Sequence, residues 1–371
     1  MSEGAAQEAV GSSREQGPGT TLLALGLLAG AVLAAYHNSL HGPFILDDKL
    51  SIVDNTDLRH LTTTLRENPL AGATLVGRPI LRLSLWVNYT LGGKEVRGFH
   101  VLNLVLHALT AFVLWGLLRR ILESPHLKDR YGKPAPWLAL AISLIWAVHP
   151  LQTESVTYVV QRAEILGGLF YLLTLYAVAR TAQADSVRWR FWYGASIVLC
   201  LTGLASKETV ATAPLVALAM DRVFFAQSWR RLWKERGGFY AALAGSWAWL
   251  GLLTWVSHNR NGSAGFGLGM PWWTYALTQP YYLCRYLGLS VWPHALVLDY
   301  GAYLAHSVGE VAPYAAIILL LLALTILALW RTPALGFCGL WFFLILAPTS
   351  SVVPLVTQTG QNTECTCLLW G

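Results

Sequence analysis

Apolar runs recur along this chain at Thr21–Tyr36, Phe99–Leu118, Trp137–Val148, Val156–Val178, Phe191–Ala205, Val210–Ala219, Phe239–Val256, Val311–Trp330 and Ala334–Leu346. Several approach the roughly 20 residues that carry an α-helix across a bilayer core of about 30 Å. Lipid offers no hydrogen bonds, so segments of this kind satisfy their backbone as helices. The expected fold is an all-α polytopic membrane protein of about nine spans. Only 12% of the residues are charged, about half the share in soluble domains. That composition excludes secreted disulfide scaffolds, soluble nucleotide-binding enzymes and disordered tails. It leaves transporters, channels, scaffolds and lipid-dependent enzymes.

The charges that remain are unevenly placed. Residues 37–98 hold 13 of the 46 charged side chains, so this stretch reads as the one long polar loop. Residues 1–20 read as a flexible leader. A secretory signal is disfavoured there, because Arg14 stands among Glu3, Glu8 and Glu15 where a basic region is required. Counting Lys and Arg in alternate links gives 15 on the side of the amino terminus. The short links opposite carry 4, and a further 7 fall in the long loop. The positive-inside bias therefore puts loop 37–98 on the non-cytosolic face. The net charge of +6 is spread over these links and is no nucleic-acid footprint. Trp272–Val291 is aromatic and interrupted by Gln279, Pro280 and Arg285, so it reads as a re-entrant or interfacial element. Cys200, Cys284 and Cys338 lie within apolar segments and form no disulfide or zinc spacing.

The usual soluble catalytic signatures (HExxH, GxSxG, a Walker loop, DxD) are absent. The run Gly265, Gly267, Gly269 reads as a flexible outer loop, since no strand and helix flank it. Asn88-Tyr89-Thr90 and Asn261-Gly262-Ser263 match the short glycosylation pattern and carry no functional weight. Chemistry then rests on carboxylates and cations near the membrane. Asp47 and Asp48 follow the first apolar run by about a dozen residues, which keeps them near the outer headgroups. A carboxylate there can take a proton from a hydroxyl. The competing reading is a helix amino-terminal cap for Lys49–Val53. A second group comprises Arg78; His100, Asn103 and His107 on one helical face; Glu154, Arg162 and Glu164 after His149-Pro150; and Lys207-Glu208. Such groups line a phosphate-holding cavity. Alternatively they are interhelical glue, an internally paired turn, a helix terminator and surface ion pairs. Arg285 and Tyr286, with Asp299 and Tyr300, either close the site from the other side or anchor an interfacial helix.

Taken in order, these residues resemble a known family, the TMTC-type transmembrane O-mannosyltransferases that carry tetratricopeptide repeats, with their bacterial relatives. The likeness spans about residues 30–360. It rests on Phe44-Ile45-Leu46-Asp47-Asp48 with Asn55; Gly77-Arg78-Pro79 leading to Asn88-Tyr89; Gly98-Phe99-His100-Val101-Leu102-Asn103 through His107; His149-Pro150-Leu151-Gln152-Thr153-Glu154-Ser155-Val156; Arg162-Ala163-Glu164; Lys207-Glu208; and Arg285-Tyr286-Leu287 leading to Pro293 and Asp299-Tyr300. The resemblance implies a GT-C glycosyltransferase-like bundle over residues 21–360 with a long first outer loop. It implies a donor such as dolichyl phosphate mannose and a catalytic role for the acidic pair. The expected activity is inverting transfer of a hexose, mannose by the resemblance, from a polyprenyl phosphate to a Ser or Thr hydroxyl of an acceptor protein. Asp47 or Asp48 is the base, and Arg78, Arg162, Lys207 and Arg285 are the pool of phosphate-holding cations. His100, Asn103, Glu154, Glu164 and Glu208 complete the expected substrate site. A polyprenyl phosphate leaves without protonation, so one base and a few cations suffice.

No cofactor is expected. A divalent ion on the two Asp is the disfavoured alternative, since no remote acids complete its shell. The expected location is a bacterial plasma membrane or the endoplasmic-reticulum membrane, with the site on the non-cytosolic side. A transporter or flippase and a noncatalytic scaffold are the rival classes; no internal repeat of the transporter kind is visible. The family pattern expects Glu-His-Arg-Met-Tyr-Leu-Pro-Leu after Ser350-Ser351-Val352-Val353-Pro354. A permitted back-translation of Gln361–Leu369, read in a shifted frame, encodes that string. Residues 361–371 are therefore expected to be a frameshifted tail, with Cys365 and Cys367 without a role, the repeat domain missing and the product compromised in activity.

Overall fold

The structure is a computed structural model that describes residues 18–66, 74–184, 188–226, 228–257, 271–294, 296–297, 303–348 and 350. The leader up to residue 17, the Gly265–Gly269 run, Asn261–Ser263, Asp299–Tyr300 and the tail 361–371 lie outside the described residues. Among the described residues, twelve helices of eight residues or more build the framework. They are α1 Pro18–Tyr36, α2 Pro79–Gly92, α3 Val96–Leu122, α4 Ala135–Ala147, α5 Arg162–Gln183, α6 Trp189–Leu204, α7 Ala213–Met220, α8 Trp229–Ala244, α9 Ser246–Val256, α10 Trp272–Val291, α11 Val308–Arg331 and α12 Pro333–Leu346. Short 3-10 and π turns join them, and no strand occurs among the described residues. The chain is an all-α polytopic membrane protein.

Among the described residues, five stretches are long and apolar enough to cross a bilayer: Gly19–His41, Val96–Leu122, Val159–Gln183, Trp229–Val256 and Val308–Arg331. A sixth arises if Ala135–Ala147 and Pro150–Thr157, bent by 54°, count as one broken span. The bend falls at His149-Pro150, where proline removes a backbone donor. The remaining apolar segments of the sequence become α6, α7 and α12, of 16, 8 and 14 residues. A count of nine spans requires all three to cross as well. Helix α10 is continuous through Pro280 but is not among the five apolar stretches. Its carboxyl end meets the end of α4, where the Ser290 carbonyl lies 3.1 Å from His149 Nε2.

The centre of the bundle is α5. It packs against α3, α6 and α7, and α3 in turn packs against α1 and α4. Buried Leu169, Tyr171, Leu172, Leu175 and Val178 give α5 apolar contacts on several sides, as expected of a helix surrounded by others. By contrast α11 packs mainly on α12 and α10 and leaves Leu319, Leu320 and Leu324 exposed.

The long polar loop of the sequence is largely folded. Helix α2 occupies 14 of its residues, and turns at Lys49–Val53 and Thr56–Arg59 fill more. Ile52, Leu58, Leu75, Leu81 and Leu85 form a second apolar core with Phe99, Val159, Val160 and Ala163. Burial of these side chains, each stabilising by about 1.5–3 kcal/mol, seats the loop on the amino-terminal ends of α3 and α5. The candidate functional residues lie around this small core.

Candidate functional site

Asp47 and Asp48 are adjacent in sequence and opposite in environment. Leu46 adopts φ +42°, the only positive φ at a non-glycine residue described. A left-handed residue here costs about 1–2 kcal/mol, and persists because both flanks are pinned. On one side the Asp47 amide donates to the Tyr158 hydroxyl at 2.8 Å. On the other, Asp48 turns inward and is fully buried. Its Oδ1 accepts from the Val160 amide at 2.8 Å and its Oδ2 from the Ile45 amide at 3.1 Å. Asp48 precedes the turn Lys49–Val53 but makes no side-chain cap to it, so the carboxylate serves the long-range junction in place of the helix cap. Burial is the main reason its acid strength falls: the pKa rises from 3.8 to about 6 despite the backbone donors, with the Asp47 charge adding to the rise. Asp47 is exposed, and its Oδ2 accepts from the Thr74 hydroxyl at 3.0 Å.

Thr74 links the acid to the first cation. Its carbonyl accepts from Arg78 Nη1 at 3.1 Å while its hydroxyl holds Asp47. Arg78 is buried, and its Nη2 lies 3.1 Å from both Oε1 and Oε2 of Glu208. Its Nε is enclosed with no hydrogen-bond partner. The sequence Gly77-Arg78-Pro79 explains the placement. Gly77 takes φ +76°, which glycine reaches without a Cβ penalty. Pro79 then opens α2 at its first position, where no amide is needed. The next amide, Ile80, donates to the Ala205 carbonyl at 3.1 Å, which ties α2 to the end of α6. The turn carrying Lys207 and Glu208 is thereby brought against Arg78.

Lys207 and Glu208 each reach across to a different element. Glu208 binds Arg78, and buried Lys207 binds the buried carboxylate of Glu164 in the first turn of α5. An acidic group in a first helical turn also gains from the helix dipole. Two crossed ion pairs thus join α2, α5 and the α6–α7 turn.

Arg162, two residues before Glu164 at the start of α5, is fully buried and engaged by protein acceptors. Its Nε donates to Asn103 Oδ1 at 2.6 Å, Nη1 to the Ser84 carbonyl and Nη2 to the Phe99 carbonyl, each at 3.0 Å. Asn103 Nδ2 donates to the Val156 carbonyl at 3.3 Å. His100 Nε2 lies 3.2 Å from the Gly42 carbonyl, and His107 Nε2 lies 2.8 Å from that of Ala147 while the ring stacks on Trp146. The face His100, Asn103, His107 is therefore interhelical glue in this structure. Such pairing keeps polar groups satisfied where lipid cannot.

Glu154 is half-buried and lines a cavity of about 180 Å³ with Pro150, Thr157 and Leu296. Burial first, and then the charges of Asp47, Asp48 and Glu154, push the Tyr158 phenol above its ordinary pKa. Arg285 sits on α10, where it donates to the Tyr281 hydroxyl at 3.2 Å. The structure thus connects Asp47 with Arg78 and Glu208, and Lys207 with Glu164. Thr74, Tyr158 and Ser84 were missed in the sequence reading. A Thr in a loop, a Tyr at a span end and a Ser in a helix carry no signal of their own. Among the described residues, no three of His, Cys, Asp and Glu converge as a metal-ligand set.

Comparison with known proteins places this arrangement among relatives. The chain is 29% identical to human protein O-mannosyl-transferase TMTC3 over 214 residues, 55% of this chain and 22% of that protein. It is 32% identical to Drosophila melanogaster protein O-mannosyl-transferase Tmtc2 over 199 residues, 50% of this chain and 20% of that protein. Mouse protein O-mannosyl-transferase TMTC1 is 34% identical over 215 residues, 53% of this chain and 22% of that protein. The chain spans less than a quarter of the length of these three relatives. No family model and no solved structure matches it.

Proposed function

From the chain's kinship with the TMTC-type protein O-mannosyl-transferases, we propose that it carries the sugar-transfer site of a GT-C-like membrane glycosyltransferase. The donor is a hexose, mannose by kinship, on a polyprenyl phosphate such as dolichyl phosphate. The acceptor is a Ser or Thr hydroxyl of a protein. The observation that carries the reading is Asp47: an exposed carboxylate held through Thr74 beside a buried arginine.

In the proposed step the acceptor oxygen attacks the anomeric carbon from the face opposite the phosphate. Its proton passes to Asp47, the new carbon–oxygen bond forms and the bond to the phosphate oxygen breaks. The configuration inverts, and the leaving group departs as a polyprenyl phosphate dianion. Correct placement of such a base contributes about 10²–10⁴-fold. The departing charge needs cations. Arg78, with its unpartnered Nε, and Lys207 are the members of the pool nearest to this role, with Glu208 and Glu164 holding them in the absence of donor. The saturation of Arg162 by Asn103, Ser84 and Phe99 supports a positioning role. Asp48 positions the loop, because both of its oxygens are engaged by amides. No step requires a metal.

The excess of Lys and Arg on alternate links supports a site on the non-cytosolic face of an endoplasmic-reticulum or bacterial plasma membrane. The test is transfer of mannose from dolichyl phosphate mannose to acceptor protein, read by mass spectrometry, with Asp47→Asn as the variant. Loss of transfer in a folded variant is the expected result. Transfer at the original rate discards Asp47 as base.

A further inference from the structure

At the end of the bundle opposite Asp47, three clefts open where α3, α5, α7 and α11 terminate. Two of them contain carboxylates close to their arginines. One has Arg119 and Arg120 with Glu123, and the other has Arg231 and Arg236 with Glu235; Arg119 and Arg231 are paired with those acids. The third, of about 530 Å³, is lined by His126, Arg130 and Arg222 with no carboxylate among its lining residues. Neither Arg130 nor Arg222 has a carboxylate partner among the described residues. Arg130 lies over the Tyr131 ring at 5.2 Å and Arg222 over Trp229 at 5.7 Å. The Arg222 Nε is enclosed without a hydrogen-bond partner. Such stacking orients a guanidinium and leaves its edge for an anion.

The floor of this cleft is apolar, with buried Phe224 and half-buried Val223, and exposed Leu335 also lines it. It lies just past the ends of two apolar stretches, Leu122 and Arg331, so its depth is that of lipid phosphates. Trp229, which Arg222 overlies, and Trp233 one turn further along α8 are about half exposed, at 49% and 51%, as is usual for tryptophans at a membrane interface. A lone phosphate would leave the apolar floor bare. A phosphate with acyl chains attached fills both parts.

We infer that the cleft between His126–Tyr131, Arg222–Phe224 and the α11–α12 junction binds the phosphate headgroup of an anionic membrane lipid. Its arginines take the phosphate and its apolar floor takes the first carbons of a chain. Basic clefts between helices recognise anionic headgroups by charge, which neutral zwitterionic lipids satisfy poorly. This site is independent of the transfer reaction.

The test uses the full chain in detergent and native mass spectrometry with phosphatidylglycerol against phosphatidylcholine. The wild type is expected to retain phosphatidylglycerol at least about tenfold better. The Arg130→Gln/Arg222→Gln doublet is expected to lose that preference. The Arg188→Gln/Arg190→Gln doublet, which removes the same charge at the same end, is expected to keep it within about twofold. Equal retention of the two lipids by the wild type overturns the inference, as does equal loss in both doublets. Millimolar inorganic phosphate that displaces the lipid completely also overturns it, in favour of a free-phosphate site. If the first doublet does not fold, Leu335→Trp keeps both arginines and obstructs the apolar side of the cleft. Loss of lipid retention supports the site, and full retention overturns it.

Discussion

The two ends of the bundle treat charge differently. At the Asp47 end, the cations are buried and answered by oxygen: Arg78 by Glu208, Lys207 by Glu164, and Arg162 by Asn103 and two carbonyls. Asp47 is left exposed among them. At the opposite end, Arg236 pairs with buried Asp221, but Arg120, Arg130, Arg180 and Arg222 lie over Tyr176, Tyr131, Trp192 and Trp229. Buried pairs fix geometry, because removal of one partner strands the other in low dielectric. Cations stacked on rings near the surface keep contact with headgroups and water. The first end is thus built for placement and the second for adhesion.

The largest expected effect sharpens this contrast at its centre. Asp47→Asn is expected to lower initial transfer rates by about 10²–10⁴-fold with the melting temperature unchanged, because its carbonyl still accepts from Thr74. A comparable fall in stability would show that Asp47 belongs to the placement network instead. Next, Arg162→Met leaves Asn103 and two carbonyls without donors, and is expected to cost about 3–5 kcal/mol in denaturant unfolding. Arg120→Gln at the other end is expected to cost less than about 1 kcal/mol. Equal costs would break the comparison.

Smaller effects follow from the crossed pairs. Lys207→Met is expected to destabilise by about 3 kcal/mol, and the double variant Lys207→Met/Glu164→Leu to recover most of that loss. Arg231→Ala, which breaks the exposed pair with Glu235, stays within about 0.5 kcal/mol. The smallest signal is a pH slope from Asp48. Its folded-state pKa is raised from 3.8 to about 6. Its contribution to stability is therefore fully present below about 3.8 and lost as pH rises through about 6. Asp48→Asn is expected to remove that slope while lowering overall stability by about 1–3 kcal/mol, since an amide cannot accept both the Ile45 and Val160 bonds. Thermal unfolding of both proteins across pH 4–7 measures the difference, and an unchanged slope assigns it to other groups.

Much of this was readable in the chain. The apolar runs marked the helices, whereas helix α2, opened by Pro79 within the stretch read as a polar loop, was not foreseen. His100, Asn103 and His107 were readable as one helical face, and as interhelical glue among other readings. Two readings turned out differently. The polar loop holds its own apolar core, invisible because Ile52, Leu58, Leu75 and Leu81 are spread among charged residues. Lys207 and Glu208, neighbours that suggest a self-paired turn, diverge to Glu164 and Arg78 because the 3-10 turn Glu208–Thr212 starts from an extended Lys207.

The sequence by itself determined that this chain is helical and membrane-bound, since periodic polarity and a lack of charge leave no other way to satisfy a backbone in lipid. It also named the residues with chemical potential. Only the tertiary structure separated Asp47 from Asp48. That separation depends on a left-handed turn at Leu46 and on the Tyr158 phenol and the Val160 amide, more than a hundred residues away. Sequence adjacency carries no information about which of two identical side chains meets water, because burial is set by long-range partners.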